Sequence, residues 1–377
     1  MSASTDYAQQ TIDMYANLQQ KIFEILINAL QSSKIKNVTA DNVLQWQIEQ
    51  LSKAGMLTNQ VIKLVAQVNH QSVSAINQMC NQLGVQAISE TQSEIHANTT
   101  KTGNISPDSR PVIDSYINQA KSYLGNTINE TLLTRNTQAN AATRVFRDIV
   151  TKSSLEVTNG LKTHEQAVRD NTYRWVEKGI PTKLSDSAGR GWSLESYSRL
   201  VVENTSRNVF NELRRQTMNA NGLTLAKMSW HPCARPACAP IQGHIVNMVP
   251  SSDPKYNAKY DSIYNHGYGD AGGTLGINCK HIFTPFDPDI NIFHLDKDIP
   301  SPSKAVKQSE IQQRQRSLER AIRQQKKKLS AAQEMHDQST VSAVKSTISN
   351  QQAKIRDLVK NNSFLTRDYS REQVQSK

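Results

Sequence analysis

The chain has 377 residues with 44 Lys and Arg against 33 Asp and Glu, a net charge of +11. Hydrophobic residues make up 37 % and aromatics 6 %, too little for one large globular core and better suited to extended helices that assemble with other subunits. The apolar stretch Ile22 to Leu30 is interrupted by Glu24 and Asn28 and is too short to span a bilayer. No charged-then-apolar leader precedes it, so the expected site of synthesis and use is the cytoplasm, where thiols stay reduced.

Residues 7–30 carry Tyr15, Leu18, Ile22, Ile25 and Ala29 at steps of three and four, which predicts an amphipathic helix. Thr39 or Asp41 is the expected cap of a second helix running to about Lys53 and ended by Gly55. From Thr58 to Leu83 a near-heptad row, Val61, Val65, Val68, Ser72, Ile76, Met79 and Leu83, fits either a coiled-coil seam or an intramolecular bundle. This N-terminal helical region is placed at 1–98. A linker follows at 99–111, rich in turn formers, and then a helical region at 112–182 that runs through about Lys178 before Gly179-Ile180-Pro181 breaks it. Ser193 is a good N-cap for a helix from Leu194 to about Met218, with Asn221-Gly222 as its stop.

Past Gly222 the period changes. Leu225 to Trp230, His244 to Val249 and Lys280 to Pro285 read as short strands between Gly/Pro turns. The fold class is therefore mainly α with a small α+β module, placed at 183–299, in which long helices and coiled-coil-like segments flank a compact Cys/His- and Gly-rich domain. After a linker at 300–307, two narrow apolar stripes at 308–377 predict an exposed helical hairpin or coiled coil. One runs through Ile311, Leu318, Ile322 and Leu329, the other through Val341, Val344, Ile348, Ile355 and Leu358. The charge is uneven: residues 1–100 and 228–302 are each net −2, residues 101–227 are +6, and residues 303–377 are +9.

Within the module, the stretch from Met228 to Phe286 gathers three of the four cysteines and four of the nine histidines. His231, Cys238, Cys279 and His281, with Cys233 as an alternate, form a candidate tetrahedral zinc set drawn from two loops. In a strand, Cys279 and His281 would share one face. The alternative is a set of buried His and Cys that pack without metal. A Cys–His nucleophile from Cys238 or Cys279 with His244, His266 or His281, oriented by Asp270, lacks any surrounding nucleophile motif, so no enzymatic activity is expected. The loop Gly267 to Gly273 lacks the Gly-Lys-Ser/Thr ending of a phosphate cradle and reads as a tight turn. His164-Glu165 reads as surface.

Between Lys304 and Lys328 there are nine basic and two acidic residues. Arg314, Arg316, Arg320, Arg323, Lys326, Lys327 and Lys328 are candidates to meet a polyanion or an acidic protein, sequence-independently and with strong salt dependence. A solvated coiled-coil face is the other reading.

The order of blocks here carries a resemblance. It runs His231, Ala234-Arg235-Pro236, Ala239-Pro240 and Gly243, then Gly267-Tyr268-Gly269, then Asn278-Cys279-Lys280-His281. Upstream stand Gly189-Arg190-Gly191-Trp192 and Leu194 to Tyr197, and downstream the basic run from Gln313 to Arg323. The pattern resembles the phage minor capsid protein 2 family, within the wider group of Mu-type head morphogenesis proteins, from roughly Lys183 to Arg371. In that family a His often stands where this chain has Cys238, and Cys233 has no counterpart. The resemblance implies a structural, non-enzymatic virion component acting in capsid assembly beside the portal. Portal protein or major capsid protein are its implied partners, with phage dsDNA a further contact, and no membrane is involved. It implies a place in the capsid interior or near the portal, and the host cytoplasm during assembly. Relatives that continue into toxin or enzyme domains suggest no such domain here, because the chain stops soon after its coiled-coil region. The competing class is a zinc-dependent nucleic-acid-binding or nucleic-acid-processing protein.

Overall fold

A computed structural model describes residues 2–185, 189 and 191–374. The apolar row of the first segment folds as α1 (Ser2–Gln31), burying Tyr15, Leu18, Ile22 and Ala29, with Ile25 half-buried. The next helix, α2 (Val43–Ser52), is preceded by Asn42, whose side chain accepts from Thr39 N at 2.8 Å. Gly55 does not end it. Lys53 keeps a helical backbone and α3 (Ala54–Asn98) begins at once, with Gly55 in open space in its first turn. The Lys53 ammonium caps the end of α1 instead, donating to Ala29 O at 3.0 Å and Ser32 O at 2.9 Å.

The near-heptad row of α3 faces partners within the chain. Val61, Val65, Ile76, Met79 and Leu83 are buried among α1 and two later helices, α5 (Ala141–Thr158) and α7 (Leu194–Ala220). Two buried hydroxyl pairs fix this packing, Tyr15 to Ser72 at 2.8 Å and Thr58 to Thr143 at 2.7 Å.

The expected continuous helix to Lys178 is three helices, α4 (Arg110–Thr131), α5 (Ala141–Thr158) and α6 (His164–Lys178). Asn140 stops and restarts the chain. Its amide donates to Leu132 O at 2.8 Å while its oxygen accepts from Thr143 N at 3.2 Å. Thr163 and Gln166 form a reciprocal capping box at the start of α6. His164, expected on the surface, sets its ring edge-on to Trp46 at 4.5 Å between centroids.

A short antiparallel pair, β1 (Pro181–Ser185) with β2 (Gly191–Ser193), leads into α7 (Leu194–Ala220). Gly191 and Trp192 thus lie in the strand that precedes the helix. Ser193 caps α7 by accepting from Ser196 N, and Gly222 follows Asn221 at φ +76°. The central sheet orders β4 (Ile245–Asn247), β3 (Leu225–Met228) and β5 (Phe283–Pro285), antiparallel, with Ala226 opposite both Val246 and Pro285. The last pair, α8 (Pro302–Glu334) and α9 (Gln338–Lys360), forms a hairpin. It is less exposed than its stripes suggested, because α8 also lies on α6 and α1.

One apolar core runs through the helices from Ala8 to Val341. A second, smaller one lies under the central sheet and includes Ile95 from α3, Met218 from α7 and Ala305 from α8. α3 therefore reaches into both.

Candidate functional site

After β3 the chain makes tight turns through 229–244, and this loop carries His231, Cys233 and Cys238. Before β5, the segment after the glycine loop carries Cys279 and His281. The sheet brings the two segments side by side, since Ser229 N donates to Ile282 O at 2.8 Å. Cys238, Cys279 and His281 converge: one potential ligand atom from each lies within 4.8 Å of the others, and all three residues are buried. Cys238 Sγ is 3.8 Å from Cys279 Sγ, and Cys279 Sγ is 3.4 Å from His281 Nδ1. His281 Nε2 is buried without a hydrogen-bond partner among the described residues.

His231 and Cys233 stand just outside that trio. The His231 ring stacks on His281, with centroids 4.4 Å apart and planes 24° from parallel. Its Nδ1 accepts from Cys233 N at 3.3 Å. Burial, with His281 beside it, pushes His231 down to about 4, so the ring is neutral at pH 7. The hydrogen bond between the two sulfurs raises the Cys238 thiol and lowers that of Cys279, which the His281 ring lowers further. The fourth cysteine, Cys80, is buried in α3 within the main core, where burial pushes its thiol up to about 12.

Of the catalytic alternative, Cys279 and His281 meet at 3.4 Å, but the other groups it named stand apart from them. Asp270 is exposed in the glycine loop, His266 pairs with Asp261 at 2.8 Å, and His244 is exposed beside Phe293. No carboxylate among the described residues orients the His281 ring.

The family-pattern residues hold this centre in shape. Arg235 donates to Ala271 O at 3.4 Å and also to Ile277 O, clasping the glycine loop and the residues just after it to the Cys238 loop. Gly267 and Gly269 have φ of +69° and +97°, conformations that suit glycine. Tyr268 packs on the second core and donates to Glu212 Oε2 at 3.4 Å. Asn278 N donates to Asn204 Oδ1 at 3.2 Å, tying the loop to α7. Gly243 N donates to Met228 O at 3.0 Å, and a side chain at this glycine would meet Ile299. Trp192 O accepts from Thr182 at 2.9 Å, Gly189 has φ +74°, and Pro236 is exposed. Arg190 lies outside the described residues.

The basic helix divides. Lys327 pairs with buried Glu195, Lys328 with Glu177 at 2.9 Å, and Arg316 with Glu319 at 2.7 Å. Arg323 donates to Arg371 O, and Lys326 to Gln373 at 2.6 Å, so both are engaged by the returning C-terminal segment. Arg314 and Arg320 are exposed and make no side-chain hydrogen bond or ion pair among the described residues. On α9 the same holds for Lys345, Lys354, Arg356 and Lys360.

Sequence reasoning did not find a cavity of about 520 Å³ beside Cys279 and His281, lined by Arg199, Arg207, Lys280, Arg323 and Arg371 with Glu203 and Asp368. Burial and the nearby Arg371, Arg316 and Arg207 push the Lys280 ammonium down. These cations come from separate helices and the C-terminal segment, so no local spacing announces them.

Among the described residues no helix is long and apolar enough to cross a membrane. The chain belongs to the phage minor capsid protein 2 family, which it matches over residues 3–360. It is therefore a structural protein of the virion, and its partners are other phage structural proteins. A protein of Lactococcus phage LL-H, named structural protein, is 39 % identical over 368 residues, covering 96 % of this chain and 97 % of the relative. The structural protein of Lactococcus phage mv4 is 40 % identical over 125 residues, which is 32 % of this chain and 98 % of that one. No solved structure matches.

Proposed function

We propose that this minor capsid protein acts in head assembly beside the portal or the major capsid protein, and that its C-terminal hairpin meets packaged DNA. The observation that carries the DNA contact is the division of the basic helix. Lys327 and Lys328 serve the fold, whereas Arg314 and Arg320 on α8 and Lys345, Lys354, Arg356 and Lys360 on α9 have no partner among the described residues. Counted outward from the turn between α8 and α9, Arg314 and Arg320 lie level with Lys354 to Lys360, so most of these cations gather at the open end of the hairpin. Like charges at close spacing repel by a few tenths of a kcal/mol per pair, and a phosphate backbone relieves that repulsion without reading sequence. No aromatic residue interleaves Arg314 and Arg320, which favours duplex backbone over stacked single strands.

Duplex binding by the full-length protein, titrated across salt concentrations, tests this. A steep fall of affinity with salt, equal for unrelated sequences, supports it. A flat response overturns the DNA contact and leaves an acidic protein surface as the partner. Labelling the protein within purified particles tests its place: signal at the portal vertex supports the assembly role, and signal on the outer capsid surface overturns it.

A further inference from the structure

We infer that Cys238, Cys279 and His281 are three ligands of one tetrahedral zinc-type ion that fastens the glycine loop to the central sheet. Zn–S bonds of about 2.3 Å and Zn–N bonds of about 2.0 to 2.1 Å, at tetrahedral angles, put two sulfurs about 3.8 Å apart and a sulfur and nitrogen about 3.6 Å apart. The protein shows 3.8 Å and 3.4 Å for those two edges. Two edges of the trio thus match a coordination tetrahedron, and the third, between Cys238 and His281, is no longer than 4.8 Å. The sulfurs are also far from the roughly 2.05 Å of a disulfide, and all four cysteines are free.

The surroundings give the ion something to do. The strands of this module are only three and four residues long, and its core is the smaller of the two major clusters. A sheet of that size gains from a cross-link that joins distant loops. Cys238 lies 41 residues before Cys279, and the loop between them is built of close backbone approaches. A Cβ at Gly273 would sit 1.8 Å from Gly267 O, and one at Gly276 would sit 2.3 Å from Asp270 O. Thr274, at 3.8 Å from Cys238 Sγ, carries that loop against the ligand set. On binding, the ion displaces thiol protons to solvent, and two thiolates balance its charge. The fourth vertex falls outside the trio, and the stacked His231 is a neighbouring ring that can turn towards it.

The test uses full-length protein purified under reducing conditions with zinc, then metal analysis and thiol alkylation before and after chelation. The expected result is a single ion per chain, with Cys238 and Cys279 protected from alkylation until the chelator is added. Cys279→Ser and Cys238→Ser should lose the ion, whereas Cys80→Ser and Cys233→Ser should keep it. Cobalt in place of zinc should give the intense visible absorption of a tetrahedral thiolate site. The inference is overturned by protein that carries no stoichiometric metal, by alkylation indifferent to chelation, or by a Cys238–Cys279 disulfide in the reduced preparation. The alkylation readout needs only the wild-type chain, so variants that fail to fold do not blunt it.

Discussion

Arg214 donates from Nη2 to the carbonyl oxygen of Phe283 at 2.9 Å, and from Nε to the same oxygen at 3.2 Å. This guanidinium is 2 % exposed and also pairs with Glu94 and, at 3.7 Å, with Glu90. A single side chain of α7 thus joins the end of α3 to an edge strand of the central sheet.

Replacing it with a residue of similar length and no charge, Arg214→Met, leaves Phe283 O and Glu94 without their donor. Breaking a buried charged network of this kind costs about 3 kcal/mol. Urea unfolding should show that loss. A change below about 1 kcal/mol would mean that water replaces the guanidinium at little cost.

The two halves of the basic helix should respond differently. Arg314→Gln with Arg320→Gln should leave melting unchanged and make the salt slope of DNA binding shallower by about 2, near 0.9 for each phosphate no longer neutralised. Lys327→Met should do the reverse. It leaves Glu195, 4 % exposed, as an uncompensated buried carboxylate, at a cost of about 3 kcal/mol in stability. Equal effects from both variants would contradict this division.

Asp337 sets a pH dependence. Burial pushes its carboxyl up, but hydrogen bonds from Thr340, Ser339 and Tyr173 more than offset this and hold it well below the ordinary 3.8. Because the folded value is the lower one, the stabilisation is complete above about pH 5 and drains away as the pH falls further. Melting temperature measured between pH 7 and pH 3 should drop less steeply in Asp337→Asn than in the parent chain. Parallel curves would remove Asp337 from the account.

Two neighbouring glycines provide an internal control. Gly273→Ala drives a methyl into the Gly267 carbonyl, whereas a methyl at Gly272 meets nothing within 4 Å. Gly273→Ala should cost at least about 1 kcal/mol, and Gly272→Ala should stay within about 0.5 kcal/mol. Thermal melts of the two proteins decide it.

Much of this was legible in the chain. Ser193 and Asn221-Gly222 mark both ends of α7 because capping is a local affair of a few residues. Cys238, Cys279 and His281 signalled a shared centre through their type and through the turn-rich stretch that holds them. Other features were not, each for a physical reason. The apolar pattern continues through Leu132 and Leu133, so the break before α5 is hidden from periodicity, and it rests on the amide of Asn140 turning back to Leu132 O. The start of α6 was available in Thr163-x-x-Gln166, a capping-box spacing. The inward role of Lys327 could not be read, since Glu195 stands 132 residues away. Arg214 looks like any other cation on a polar helix until the sheet closes over it.

α3 spans 45 residues, roughly 67 Å at 1.5 Å per residue. Thr58 bonds it to α5 near one end, Ser72 to α1 further along, and Ile95 and Glu94 join the sheet module at the other. It is a yardstick: the separation between the α2–α5 end of the molecule and the Cys/His centre is a length written in residues. Removing one heptad would shorten it by about 10 Å, and one of its two ends would then be without its seat.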